Sequence, residues 1–266
     1  MKILYLTNLN NSDPEEDQYL IDLLKKDFEV VVSHSLECEK YLTSVGGIII
    51  RNIWPTHEYE KEWERIKQKI RESKIPTYNP LTGKGDNGGK EYLAELFDNG
   101  FPVIPSVSKI EDIDQLPKSE FYYIKPLESC DGFGDEKLTM EELLKRNPEN
   151  YIIQPCIHFS SEPSFFYINN KFSYAITVPN RLTETEISQY EPTEDDLAFA
   201  RKFIEWNDLP YGIQRVDAVR TANGKLLLAE VEDIACYLYL LDLDEIQRDR
   251  ITVELVSSIK KVFDEK

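Results

Sequence analysis

Basic side chains are in short supply here: 31 Lys and Arg stand against 49 Asp and Glu in 266 residues, a formal charge of −18. Nucleic-acid affinity comes largely from Lys and Arg neutralising phosphates, so a duplex or RNA backbone would be repelled on average. Anionic membrane surfaces are disfavoured for the same reason. Histidine is rarer still: His34, His57 and His158 are the only three, and no metal-ligand spacing connects them. That argues against a structural zinc site. The four cysteines, Cys38, Cys130, Cys156 and Cys236, are scattered without a CxxC pair. Without an export signal, free thiols in a reducing cytoplasm are the expectation. No apolar run approaches the ~20 residues of a membrane helix. The opening MKILYLTNLNNSD turns polar too soon for a signal peptide and reads as a first strand. A cytoplasmic protein handling small molecules fits these absences, and local basic sites can still hold a small anion.

The chain is long enough for one large domain or several small lobes. KILYL (2–6), FEVVVS (28–33), GIIIRN (47–52) and IPTYN (75–79) read as strands. Between the first two, Asp13 can cap a helix, Pro14 suits its first position and Glu16 completes a capping-box pattern. Leu20, Leu23 and Leu24 then share one helical face. Tyr59, Trp63, Ile66 and Ile70 recur at helical spacing before the fourth strand. The order β-α-β-β-α-β predicts a small α/β lobe with a largely parallel sheet. PLTGKGDNGG (80–89) is a loop and a lobe boundary. Its Gly83, Gly85 and Gly88 have GxGxxG spacing, but Pro80 breaks the strand that a dinucleotide fingerprint should follow. A Walker A reading fails as well, because Glu91 follows Lys90 where Ser or Thr should hold magnesium.

Beyond the loop, a helix ends at Gly100, FYYIKP (121–126) and YIIQPCI (151–157) read as strands, and FFYINNKFSYAITV as a hairpin turning at Asn169-Asn170. A helix is expected over 193–206, and another at the C-terminus. Between them lies the most informative stretch, VDAVRTANGKLLLAEVE, a second hairpin with Asn223-Gly224 at its tip. A two-residue type I′ turn there pairs Ala222 with Lys225. It also sets Asp217 opposite Glu230 and Arg215 opposite Glu232, all four on one face because side chains alternate along a strand. Two carboxylates facing each other repel, and a hard divalent cation such as Mg2+ would compensate them. A solvated face with an Arg215–Glu232 surface ion pair fits the same pattern. Lys125, at the end of a strand, could reach a phosphate as a point charge or simply reach solvent. Lys90, opening a helix, carries the same two readings. The loop Ser129-Cys130-Asp131-Gly132-Phe133-Gly134 is small enough to bring backbone N–H groups near phosphate oxygens.

This order of motifs resembles the ATP-grasp superfamily over almost the whole chain. KEYLAELFDNGFPVIPS is similar to the family's helix that starts with a phosphate-facing lysine and runs into a Pro-bounded turn. IKPLESCDGFG resembles its strand lysine and glycine-rich lid, and IIQPCI its adenine hinge. RVDAVRTANGKLLLAEVE is similar to the R-x-D…E-x-[NE] metal hairpin, the most specific of these signals. The nearest flavour is the glutathione-synthetase-like branch, which includes the cyclo-ligase of cycloserine biosynthesis. Three features depart from it: the lid has fewer glycines, Cys236 stands where a proline is common, and the stretch after Arg181 is short.

The resemblance implies an α/β fold (α+β lobes). A pre-ATP-grasp domain over residues 1–86 would precede an ATP-grasp domain over 87–266, itself split into 87–150 and 151–266. It implies ATP as cofactor with Mg2+, or Mn2+, held by Asp217, Glu230 and Glu232. Lys90 and Lys125 would contact the phosphates, with Arg181 a further candidate. Gln154, Pro155, Cys156 and Ile157 would frame adenine, and Glu162 would bind ribose. Arg215 would stabilise charge on the transferring phosphoryl group or the tetrahedral intermediate. The family is often dimeric, so a homodimer is one expected assembly. The implied reaction joins a carboxylate, activated as an acyl phosphate, to an amine or similar nucleophile. Arg51 could hold the substrate carboxylate bidentately or form a surface ion pair. Trp54 and Tyr59 could line the same pocket or serve packing. A phosphoryl transferase, a non-catalytic nucleotide-binding scaffold and, more remotely, a Rossmann oxidoreductase are the competing readings.

Overall fold

The computed structural model describes residues 1–8, 14–53, 56, 59–128, 134–178 and 187–264. Its first part alternates strand and helix in the expected order: β1 (Lys2–Leu6), α1 (Pro14–Leu24), β2 (Glu29–Ser33), β3 (Gly47–Ile50), α2 (Glu60–Ser73) and β4 (Thr77–Tyr78). The four strands form a parallel sheet in the order β2-β1-β3-β4. β1 and β3 are apolar at successive positions because both faces of the sheet are covered. Leu4, Leu6, Ile48 and Ile50 pack with Trp63, Ile66 and Ile70 of α2. Ile3, Tyr5 and Ile49 face the other way, onto Leu20, Ile21 and Leu24 of α1. Each such aliphatic side chain contributes about 1.5–3 kcal/mol on burial.

Glu16, the described half of the expected capping box, has a long-range role. Glu16 turns inward, and its carboxylate accepts from the backbone N–H of Leu238 (3.0 Å) and of Leu240 (2.9 Å). Buried backbone amides of this kind need an acceptor, and Glu16 supplies it. Asp13 lies outside the described residues.

The second part begins with α3 (Tyr92–Asp98). A three-stranded antiparallel sheet follows, built from β5 (Tyr122–Pro126), β6 (Glu136–Leu138) and β7 (Tyr151–Pro155), with α4 (Met140–Arg146) between the last two. A five-stranded antiparallel sheet comes next: β8 (Phe159–Ile168), β9 (Lys171–Val178), β10 (Ser188–Gln189), β11 (Ile213–Thr221) and β12 (Leu226–Glu232), ordered β10-β9-β8-β11-β12. α5 (Glu194–Asn207) starts one residue later than expected, behind an N-cap at Thr193. α6 (Glu245–Asp264) closes the chain and returns to the first sheet. Its Ile251, Leu255, Ile259 and Phe263 share one core with β1, α1 and the β8–β9–β11 face. Among the described residues no helix is long and apolar enough to cross a membrane.

The β8–β9 turn is as expected, with Asn169 at φ 50 and Asn170 at φ 62, the left-handed pair a type I′ turn requires. The β11–β12 turn is not. Thr221 N–H donates to the Lys225 carbonyl (2.9 Å) across a three-residue loop, and only Gly224, at φ 83, is left-handed. Asn223 instead spends its side chain on the Lys225 N–H (3.3 Å), an Asx-type bond that competes with the left-handed form. The longer loop shifts the pairing by one residue, to Arg220 opposite Leu226. A β-bulge between Asp217 and Ala218 then shifts it back. Asp217 therefore does face Glu230, and Arg215 does face Glu232, but through two irregularities that cancel.

Candidate active site

The bulged end of the β11–β12 ladder carries the charges. Arg215 is 4% exposed. Its Nε lies 3.0 Å from each Asp217 oxygen, its second terminal nitrogen bonds Asp217 (2.8 Å) and Glu232, and its first donates to the Tyr237 carbonyl (2.9 Å). The guanidinium carbon sits 5.9 Å from the Phe166 ring centre and 5.7 Å from that of Tyr239. Planar fork and aromatic walls both suit arginine over lysine. Ser164, on the neighbouring strand β8, donates to Asp217 (2.6 Å).

Glu230 faces a different set. Lys90 Nζ lies 3.0 Å and Lys125 Nζ 3.6 Å from its Oε1. Lys90 does not open α3 directly; it sits two residues ahead, 3.3 Å from Asp86 Oδ2. The Tyr92 hydroxyl donates to Asp86 (3.0 Å) and accepts from the Val231 N–H (2.7 Å). Burial works against the Lys90 ammonium, but Asp86 and Glu230 outweigh it and raise its pKa. Burial also raises carboxyl pKa values, yet Lys90 and Lys125 overcome it at Glu230 and hold that group well below the usual range. Glu232 is displaced the other way: burial pushes it up, and Asp217, Asp86 and Glu230 add to the rise against Arg215. Opposite shifts in neighbouring carboxylates mark a site crowded with negative charge.

The glycines of the 80–89 loop have a different role from the one their spacing suggests. Gly85 N–H (2.8 Å) and Asn87 N–H (2.9 Å) both donate to the carboxylate of Asp233, which is wholly buried. A Cβ at Gly83 would stand 2.0 Å from Asp233 Oδ2, and one at Gly85 2.3 Å from the Val231 carbonyl. The loop is an anion cradle, and its anion is the protein's own carboxylate. It fixes the segment that carries Asp86 and Lys90 next to the hairpin. Sequence reasoning misses Asp86, Tyr92 and Asp233. The only local signal is the four-residue spacing of Asp86 and Lys90; Asp233 is 148 residues from Gly85.

The remaining expected residues divide. Gln154 is buried on β7 and donates to Ser106 (2.9 Å). Pro155 pairs with Tyr122, and Cys156 N–H bonds the Phe121 carbonyl (2.8 Å). Ile157 lies in the link to β8, where Glu162 pairs with Val178. Arg51 is buried, with one terminal nitrogen 2.7 Å from the Cys236 carbonyl and the other 2.9 Å from Glu16. It is engaged inside the protein, not in a surface pair. The Tyr59 hydroxyl bonds the Ile53 carbonyl and accepts from Ser35 (3.2 Å). Arg181, Trp54, Cys130 and the lid residues 129–133 lie outside the described residues.

Among the described residues no group of three or more His, Cys, Asp or Glu is drawn together as a metal cage. The carboxylates are spread onto cations instead, Asp217 and Glu232 onto Arg215 and Glu230 onto two lysines. The donor chemistry still suits Mg2+: facing oxygen ligands, few in number, beside lysines that can take phosphate.

No protein-family model and no curated protein matches the sequence. Solved structures do match. A D-cycloserine synthetase, DcsG, superposes with a TM-score of 0.77 at 18% identity, over 98% of this chain and all of that one. The D-alanine–D-alanine ligase from Bacillus anthracis, complexed with ATP, gives 0.68 at 13% identity over 100% and 99%. The ATP-grasp ligase PsnB, complexed with minimal precursor, Mg and ADP, gives 0.64 at 12% identity over 97% and 98%. The chain has the fold of the ATP-grasp ligases.

Proposed function

We propose that this protein is an ATP-dependent ligase that activates a carboxylate as an acyl phosphate and joins it to an amine. The observation that carries this reading is the hairpin end, where Arg215, Asp217, Glu230 and Glu232 meet and Lys90 and Lys125 converge on Glu230. The ATP and the Mg with ADP in two structures of the same fold support the choice of cofactor.

In the first step a substrate carboxylate oxygen bonds the γ-phosphorus of ATP as the bridging P–O bond to ADP breaks. In the second the amine nitrogen bonds the acyl carbon, the C–O bond to phosphate breaks, and inorganic phosphate and a proton leave. Mg2+, held by Asp217, Glu230 and Glu232, would screen the phosphate charge when bound. Lys90, kept charged by Asp86 and Glu230, and Lys125 present fixed positive charge to the phosphates. Arg215, braced by Asp217, Glu232 and the Tyr237 carbonyl, offsets the charge that develops on the transferring group. Gln154, Pro155, Cys156 and Ile157 frame adenine, Glu162 takes the ribose, and Arg181 is a further phosphate contact. Arg51 takes part by holding the Cys236 carbonyl, one residue from the carbonyl that braces Arg215. The division between residues 86 and 87 then separates a pre-ATP-grasp lobe from the nucleotide-binding lobes.

The test is phosphate release from ATP across a matrix of carboxylates and amines. The reading expects release that requires one acid and one amine together, with a C–N bonded product. Phosphorylated acid accumulating without any amine requirement would identify a phosphoryl transferase. Nucleotide binding with no turnover across the matrix would identify a scaffold.

A further inference from the structure

Lys90 and Lys125 both face Glu230 Oε1, at 3.0 and 3.6 Å, but their surroundings differ. The Lys125 side chain is 19% exposed, and Glu230 is its one ion-pair partner among the described residues. The Lys90 side chain is 3% exposed and has a second carboxylate beside it: Asp86 Oδ2 lies 3.3 Å from Nζ. Asp86 is itself held, because its other oxygen accepts from the Tyr92 hydroxyl (3.0 Å). That hydroxyl accepts in turn from the Val231 N–H (2.7 Å), on β12 between Glu230 and Glu232. The Tyr92 ring is buried, with the Trp206 ring centre 5.3 Å away, so the core sets where the hydroxyl stands.

These contacts give the two lysines different tasks once Glu230 serves a metal. One carboxylate that turns to Mg2+ no longer balances two ammoniums beside it. Lys125, partly open to solvent, can turn to an anion as a point charge. Lys90 is buried, and a buried ammonium left without a counter-charge is costly. Asp86 is the partner that remains. A buried carboxylate needs hydrogen bonds of its own, and Tyr92 supplies one. The chain from Val231 N–H through Tyr92 and Asp86 to Lys90 ties the ammonium to the strand that carries Glu230 and Glu232.

We propose that Asp86, held by Tyr92, is the positioning residue that keeps the Lys90 ammonium fixed towards the nucleotide phosphates while Glu230 serves the metal. This assignment rests on the nucleotide-binding reading of the hairpin.

The test is calorimetric binding of Mg-ADP to the full-length protein and its variants, with a thermal melt of each. Asp86→Asn keeps the side-chain shape and an acceptor for the Tyr92 hydroxyl, but removes the charge facing Lys90. It should weaken Mg-ADP by about tenfold. Because Asp86 acts through Lys90, that loss should vanish on a Lys90→Met background and persist in full on a Lys125→Met background, as a double-mutant cycle reads. A merely structural role would lower the melt and leave the affinity of the folded protein unchanged, or would multiply equally with both lysine variants. Should Lys90→Met not fold, Tyr92→Phe takes its place. It keeps the ring and both charges, should also weaken Mg-ADP, and should add nothing to Asp86→Asn. Native affinity in Asp86→Asn, or an undiminished loss on the Lys90→Met or Tyr92→Phe background, would overturn the assignment and leave the nucleotide site standing. A native protein that binds no Mg-ADP would overturn the ligase reading and this assignment together.

Discussion

Arg215→Met is expected to lose about 3–5 kcal/mol of folding stability, read as a shift of the denaturant midpoint at unchanged slope. The reason is what the arginine leaves behind. Asp217 and Glu232 would remain in a mostly buried ladder without their counter-charge, and the Tyr237 carbonyl would lose its donor. The aromatic walls at Phe166 and Tyr239 would accept a methionine well, so packing is not the source of the loss. Arg215→Lys should recover part of the stability, because it returns a charge. It should not recover turnover, because a single ammonium cannot bridge two carboxylates and a carbonyl as the fork does. A cost below about 1 kcal/mol for Arg215→Met would class the ladder end as a solvated surface pair and remove the site's physical basis.

Asp233→Ala should act through the loop it releases and still silence the proposed nucleotide site. The Asp233 carboxylate accepts the Gly85 and Asn87 N–H groups, and each buried amide left unpaired costs about 1–3 kcal/mol. The released segment carries Asp86 and Lys90, so the ammonium facing Glu230 loses its fixed position. Hydrogen exchange should show the amides of Gly85 and Asn87 losing protection, and nucleotide affinity should fall with them. Asp233→Asn keeps one acceptor oxygen and should fall between the two. Unchanged protection at both amides in Asp233→Ala would show that the loop holds itself.

What can be read from the sequence follows the range of the interactions. Strand and helix order in residues 2–78 is legible, because apolar runs and helical spacing are local. The Asn169-Asn170 turn is legible for the same reason. The register at Asp217 and Glu230 is reached by a turn that does not form. Neither the three-residue loop nor the bulge leaves a sequence mark, since a single extra residue such as Ala229 looks like any other. Glu16 reads as part of a helix cap, and nothing local says that it also serves amides 222 and 224 residues away. The Gly83–Gly85–Gly88 spacing is set aside as a dinucleotide fingerprint, and nothing local says that Asp233 is the anion its loop holds. Local chemistry names the parts, and only the fold says which partner each has taken.

Glu230 is proposed to belong to a magnesium-nucleotide site. Calorimetric binding of ATP or ADP, with and without Mg2+, to the native protein and to Glu230→Gln tests it most directly. The substitution keeps the side-chain shape and removes the charge that Lys90 and Lys125 share. Nucleotide binding that strengthens with Mg2+ in the native protein, and loses that dependence in Glu230→Gln, is the predicted result. A folded native protein that binds neither nucleotide, or a mutant with the same Mg2+ dependence, would contradict it.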